Sequence, residues 1–223
     1  MTAIIQIKNL SVTYGKRKVI HDFNCEVEEN SVTAIVGPSG CGKSTLLRSL
    51  SRMNDRIEGF QLAGQILVKG RDIYHPGTDV YELRRRVGMI FQKPCVFPKS
   101  IFDNVLFGVR PLKRIHKKDY NDIVEHILKK VNLWEEVADR LGDLATTLSQ
   151  GQQQRLALAR TLAVEPEIIL MDEPTSSLDI ESTAVIESLI HTLKSHHTIL
   201  LVTHQHEQAE KVSDNLLVCN IIK

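Results

Sequence analysis

Two stretches, Ile168-Ile169-Leu170-Met171 and Thr198-Ile199-Leu200-Leu201-Val202, are apolar almost throughout. The first lies between Pro166 and Pro174 and is too short for an independent helix. Both predict central strands of a parallel sheet, covered on both faces. Val87-Gly88-Met89-Ile90-Phe91 predicts a further buried strand closed by Gln92, and Leu216-Leu217-Val218-Cys219 a last one. Between these runs the apolar positions recur at helical spacing. Gln150 to Val164 carries Leu156, Leu158, Ala159, Leu162 and Ala163 and stops at Glu165-Pro166; Ile180 to Leu193 and Gln205 to Val212 also read as helices. Strands alternating with helices in this way imply βαβ units around a parallel sheet.

The N-terminal third has a different texture. Ile4-Ile5-Gln6-Ile7, Val19 to Val27 and Val32 to Val36 read as short strands, with turn signals at Tyr14-Gly15-Lys16 and Glu29-Asn30-Ser31. Their close spacing predicts a mostly antiparallel sheet. A helix over about 43 to 53, a strand between Gly59 and Gly70 and a short helix from Asp79 to Arg86 follow. From Lys93 to about Ser149, Pro94, Pro98 and Pro111 interrupt the chain. Ser100 predicts a helix cap, and Asp119 to Val131 sets Ile123, Ile127 and Val131 on one helical face, with Val124 and Leu128 beside them. This segment predicts a helical insertion.

The chemistry begins after Val36. Gly37-Pro38-Ser39-Gly40-Cys41-Gly42-Lys43-Ser44 matches G-x-x-x-x-G-K-[ST], with Thr45 behind it, where a predicted strand gives way to a predicted helix. Glycines there allow turns closed to other residues and bring backbone N–H groups to an anion, and the helix N-terminus points its positive end at the same place. Lys43 reaches β- and γ-phosphates in such a motif, and Ser44 ligates Mg²⁺. A Gly-rich turn that binds nothing is the alternative.

Ligands of open α/β sheets lie beyond the carboxyl ends of the strands, so those ends should hold the other groups. The strand ending at Met171 delivers Asp172, suited to Mg²⁺, and Glu173, suited to polarising a water. Gln92 and Thr203-His204 close two more strands. Each alone has a bland reading as a cap, a surface His or an idle Gln. Four polar groups at strand ends around one phosphate loop indicate a nucleoside triphosphatase. Ser149, as cap of the next helix, adds a second anion-facing helix start, which points to a nucleotide held by another copy.

In order, GPSGCGKST, Gln92, LSQGQQQR, ILMDEPTSSLD and Thr203-His204 resemble the ATP-binding subunits of ABC transporters over nearly the whole chain. The resemblance implies an α/β P-loop NTPase core with a mixed or parallel central sheet and an N-terminal antiparallel β subdomain. Residues 1–92 and 150–223 would form this core and 93–149 the helical subdomain of one ATPase domain. It implies that Tyr14 stacks on adenine, that Lys43, Ser44 and Thr45 hold phosphates and Mg²⁺, and that Gln92 senses the γ-phosphate side and contacts Mg²⁺ or water. It further implies that Asp172 supports Mg²⁺, Glu173 is the general base, His204 contacts the γ-phosphate, Ser149 and Gly151 bind the γ-phosphate of the opposing copy, and Asp179 lies at the dimer interface.

The implied assembly is a homodimer with ATP at its interface, docked on transmembrane permease subunits and, through them, on a solute-binding protein. The chain would be peripheral on the cytoplasmic face of the inner membrane. Arg52-Met53-Asn54-Asp55, Phe97-Pro98-Lys99-Ser100 and LSQGQQQRLALARTLAVEP narrow the resemblance to the phosphate-import branch. The rival readings are an importer ATPase for another solute, a non-transport ABC-type ATPase or scaffold, and a small-molecule kinase. Two departures stand out. The family usually has Gly where Gln150 stands, which costs on the order of 1 kcal/mol if that position needs positive φ, unless Gln150 simply extends the helix. The family also usually continues past the point where this chain ends, at Lys223.

Composition adds exclusions. With 28 basic and 27 acidic residues in 223, net charge +1, no global field draws nucleic acid or an anionic membrane. Cys25, Cys41, Cys95 and Cys219 have no C-x-x-C spacing and read as reduced thiols. No run approaches the roughly 18 apolar residues of a membrane span, so any membrane association comes through a partner.

Overall fold

A computed structural model describes residues 3–112 and 115–218. The chain packs as two units, one of residues 1–89, 167–173 and 193–223, the other of residues 90–166 and 174–192. The helices at 150–162 and 180–192 thus group with the second unit, whereas the sequence boundaries at 92 and 150 assign them to the core.

The first unit holds two sheets, save Ile90 at the end of one strand, which falls to the second unit. The antiparallel sheet joins β1 (Ala3–Tyr14), β2 (Arg17–Glu28), β4 (Phe60–Val68) and the short β5 (Arg71–Asp72) in the order β2-β1-β4-β5. The other sheet has the order β6-β7-β8-β3-β9, from β6 (Val87–Ile90), β7 (Ile168–Asp172), β8 (Thr198–Thr203), β3 (Val32–Val36) and β9 (Asn215–Val218). Its β7–β8, β8–β3 and β3–β9 pairs are parallel. β3 therefore does not belong to the antiparallel sheet that its spacing predicted. All five of its residues are buried, as a strand covered on both faces requires, and β4 takes the place beside β1. Cys219 lies outside the described residues.

Helix α1 (Lys43–Leu50) is shorter than the predicted 43–53: Arg52 sits at φ +55° and a single 3₁₀ turn follows. Leu46, Leu47 and Leu50 of α1 share a core with Ile5, Leu10, Val12 and Ile20 from the antiparallel sheet and Ile35, Leu170, Leu200 and Val202 from the parallel one. This burial fixes the direction in which α1 leaves β3. Helix α2 (Val80–Arg86) starts at Asp79, whose side chain accepts from the N–H groups of Tyr81 and Glu82. Helix α8 (His206–Val212) follows β8.

Where β7 starts, Glu167 bridges Arg86 at 2.7 and 3.1 Å and Lys69 at 2.5 Å. The Arg86 guanidinium, helped by Lys69, pulls its carboxyl down to about 2 from an ordinary 4.5. A depressed carboxyl stabilises the fold above its unfolded pKa, and that contribution fades as pH falls from about 4.5 to about 2. Glu167→Gln is expected to cost about 1 kcal/mol at pH 7 once solvent exposure of the bridge is allowed for. Denaturant titrations at pH 7 and at about pH 2 test this; the gap between the two proteins should close at the lower pH.

The second unit is helical: α3 (Ile101–Leu106), α4 (Tyr120–Lys130), α5 (Trp134–Val137), α6 (Gln150–Leu162) and α7 (Ile180–Leu193, whose last residue falls to the first unit). Ser100 caps α3 by accepting from the Asp103 N–H at 2.9 Å. On α4 the fully buried residues are Val124 and Leu128, with Ile123 only half-buried, so the core face is turned slightly from the predicted one. α6 is buried nearly all round and takes Gln154 and Arg155 inside with its leucines. Gln154 donates from Nε2 to the Phe91 and Pro174 carbonyls at 3.1 and 2.9 Å.

No helix of the described residues is long and apolar enough to cross a membrane. Cys25 is half-buried, its thiol pushed up to about 11 by burial and by Glu26; Cys41 is buried, Cys95 is exposed, and none of the three is in a disulfide.

Candidate nucleotide site

Parallel register builds the site. Val36 pairs with Thr203 and Asp172 with Val202, so β3, β7 and β8 end in one row, and the Glu173 N–H donates to the Val202 carbonyl at 2.9 Å. Gly37 to Thr45, Asp172-Glu173 and His204 leave the sheet from that row.

In the loop, Gly40 and Gly42 have φ +80° and +100°, a region that other residues enter at a cost. Gly42 is the N-cap of α1 and supplies no side chain, so the first N–H groups of α1 have no side-chain acceptor from their cap. Lys43 is buried, and its ammonium donates to the Gly37 and Pro38 carbonyls at 2.6 and 3.0 Å. Pro38, Ser39 and Gly40 are exposed, Cys41 lies 3.9 Å from the Lys43 nitrogen, and the Thr45 carbonyl accepts from Ser49 and Asn54 at 2.9 and 3.0 Å.

Ser44 donates its hydroxyl to Asp172 Oδ1 at 2.8 Å. Burial pushes the Asp172 carboxyl up, against the lowering pull of the Ser44 bond. A buried carboxylate beside a hydroxyl is a pair of hard oxygen ligands whose desolvation a divalent cation would offset, so the residues fit Mg²⁺.

Glu173 takes φ +46°, a costly conformation for a residue with a side chain. The fold holds it there, with Oε2 3.0 Å from His204 Nδ1, the carboxylate largely covered and the imidazole about half exposed. Tyr14, at the end of β1, is half-buried against the core, with its ring 5.9 Å from that of Phe60.

The remaining sequence-predicted residues belong to the second unit. Gln92 is exposed, and its carbonyl accepts from Ser177 at 3.4 Å. Ser149 caps α6 in a reciprocal pair: its Oγ accepts from the Gln152 N–H at 3.3 Å, and its own N–H donates to Gln152 Oε1 at 2.9 Å. Accepting leaves the Ser149 hydroxyl proton free to donate outward. Gln150 is the exposed first residue of α6 and is absent from the positive-φ positions, so the strained alternative falls and it extends the helix.

Gly151 lies against α7: a Cβ there would meet Ser182 Oγ at 2.2 Å. Asp179 holds the start of α7 by accepting from the Ser182 N–H at 2.7 Å and hydroxyl at 3.1 Å, and these bonds lower its carboxyl pKa. Sequence reasoning missed Ser182, Gln154, Arg155 and Glu136. No local signal marks them, because helical periodicity treats a polar residue as solvent-facing.

A phosphate loop, a buried carboxylate on its Ser and a second, His-linked carboxylate at the next position define a nucleoside triphosphatase. The model of the ABC transporter family matches residues 20–176, and this chain belongs to that family as an ATP-binding, ATP-hydrolysing subunit. It is 50% identical over 211 residues to "Phosphate import ATP-binding protein PstB 1" of Vibrio parahaemolyticus serotype O3:K6, covering 95% of this chain and 78% of that protein. Among solved structures, cbiO1 of Clostridium perfringens, part of the ABC transporter complex cbiONQ, superposes with TM-score 0.83 at 28% identity, over 98% of this chain and 85% of that one. A bacterial Atm1-family ABC exporter with ATP bound gives TM-score 0.81 at 30% identity over 97% of this chain and 36% of that one.

Proposed function

We propose that this chain is the ATP-hydrolysing motor of an importer for inorganic phosphate. The Ser44–Asp172 and Glu173–His204 pairs, set side by side at strand ends beyond the phosphate loop, carry the hydrolytic part of this reading. The likeness to the Vibrio phosphate-import protein over 95% of the chain supports the solute.

Lys43 exchanges the Gly37 and Pro38 carbonyls for β- and γ-phosphate oxygens, and the α1 N–H groups hold the same anion. Ser44 and Asp172 would hold Mg²⁺, which would supply positive charge against the phosphates. Glu173 takes a proton from the water that attacks the γ-phosphorus, while the β–γ bridging oxygen leaves on ADP. His204 orients the carboxylate. Tyr14 offers the accessible part of its ring to adenine, and Gln92 contacts the γ-phosphate side.

Ser149, with its free hydroxyl proton, and Gly151 face the γ-phosphate held by a second copy, with Asp179 at that interface. Two copies therefore close on ATP and part after hydrolysis. The movement passes to transmembrane permease subunits fed by a solute-binding protein, with the chain peripheral on the cytoplasmic face of the inner membrane. The test is phosphate uptake in cells whose own phosphate-import ATPase has been deleted. Expression of this chain should restore uptake of labelled phosphate; no restoration by a chain that hydrolyses ATP and co-purifies with those permease subunits would overturn the phosphate reading.

A further inference from the structure

The start of α6 is held by a polar chain that reaches well outside its motif. Gln152, which closes the cap with Ser149, donates from Nε2 to Glu136 Oε2 at 2.8 Å. Glu136, on α5, receives Arg155 at 2.6 Å on Oε1 and 3.1 Å on Oε2. Arg155 is 8% exposed and also donates to the Asn132 carbonyl, in the turn that ends α4 with Asn132 at φ +52°. The Arg155 bonds, joined by that of Gln152, hold the Glu136 carboxyl below the usual range, so it is charged at neutral pH.

A carboxylate can only accept. It therefore fixes which end of the Gln152 amide faces it: the NH₂ must point to Glu136, which leaves Oε1 for the Ser149 N–H. An amide at position 136 would accept or donate with nearly equal ease, and Gln152 would lose that instruction. Arg155 anchors the carboxylate from behind, so the orientation is referred to α4 and α5 rather than to the cap alone.

We propose that Glu136 is a positioning residue for ATP-driven pairing of two copies: through Gln152 it sets the Ser149 cap that meets the partner's nucleotide. This rests on the reading of Ser149 given above. The plainer role for Glu136 is a strut that merely pairs with buried Arg155.

The test uses the purified chain carrying Glu173→Gln, with and without Glu136→Gln, which preserves shape and an acceptor for Arg155. Ultracentrifugation as a function of ATP should show the half-maximal concentration for dimerisation rise roughly tenfold, the size of one charge-assisted hydrogen bond. ADP affinity of the single chain should stay within a factor of about two, because its own phosphate loop is untouched. In a Gln152→Met background, Glu136→Gln should have no further effect on dimerisation, since the path runs through Gln152. A loss of thermal stability with ADP binding and dimerisation falling in parallel would make Glu136 a strut and overturn the proposal, as would an undiminished effect in the Gln152→Met background. Ser149→Ala separates the two readings: if it leaves dimerisation unchanged, the partner-site reading of Ser149 fails, and if it weakens dimerisation while Glu136→Gln does not, only the role of Glu136 fails.

Discussion

Glu173→Gln is expected to slow ATP turnover by a factor of roughly 10²–10⁴ while leaving ATP bound, the range that loss of a general base produces. The amide has the size of the carboxylate and meets the same backbone demand at φ +46°, so the turn after β7 should survive. It can also keep a hydrogen bond to His204 Nδ1, now 3.0 Å from Glu173 Oε2. What it lacks is the ability to take a proton from water. Asp172, Ser44 and Lys43 are untouched, and binding rests on them and on the N–H groups of α1. Single-turnover hydrolysis, read beside equilibrium ATP binding, checks this. Undiminished turnover would remove Glu173 from the role of base, and loss of binding together with turnover would show that the substitution disturbed the loop. The same variant should form an ATP-dependent dimer, since hydrolysis no longer parts the copies; a dimer without ATP would argue against pairing through nucleotide.

That Glu173 stood out in the sequence at all owes to the strand before it. Ile168 to Met171 is apolar because β7 is covered on both faces, and an apolar run that stops at Asp172-Glu173 announces a strand end. The same logic made β8 and His204 legible, and the loop motif made the start of α1 legible. Capping was equally readable: Ser100 and Ser149 do what their spacing predicts, because an N-cap is a local event within four residues.

Sheet membership was not readable for β3. Its sequence is as short and apolar as β7, but its neighbours in sequence are antiparallel strands, and proximity along the chain misled where pairing with distant β8 and β9 decides. Polar residues buried by tertiary contact were also hidden. Gln154 and Arg155 occupy helical positions that read as solvent-facing until α6 is seen to be enclosed. Glu136 becomes notable only once α5 is beside Gln152.

The least legible feature is also a sharp constraint: Gly151 is required by a neighbour from another helix. A methyl group there would lie 2.2 Å from Ser182 Oγ and 2.8 Å from Ser182 Cβ. The hydroxyl has little freedom to move aside, because Ser182 is tied to Asp179 through both its N–H at 2.7 Å and its Oγ at 3.1 Å. Even a rotated hydroxyl leaves the Cβ in place. Gly151→Ala must therefore shift the start of α6 from that of α7, at an overpacking cost of about 1–3 kcal/mol. If the partner's phosphate needs those starts in register, ATP-driven dimerisation and turnover should fall by roughly 5- to 150-fold. Binding of ATP to the single chain should persist, since the phosphate loop belongs to the other unit. Ser182→Gly removes both obstacles and leaves Ser182 Cα, at 4.0 Å, in ordinary van der Waals contact with the added methyl. The Gly151→Ala/Ser182→Gly double variant should thus recover much of the lost dimerisation, and Gly151→Ala/Ser182→Ala less, because a Cβ remains at 2.8 Å. Equal recovery by both would place the conflict at the hydroxyl alone. Recovery by neither would mean that Gly151 is needed for the approach of the partner's phosphate itself, rather than for the fit of α6 against α7.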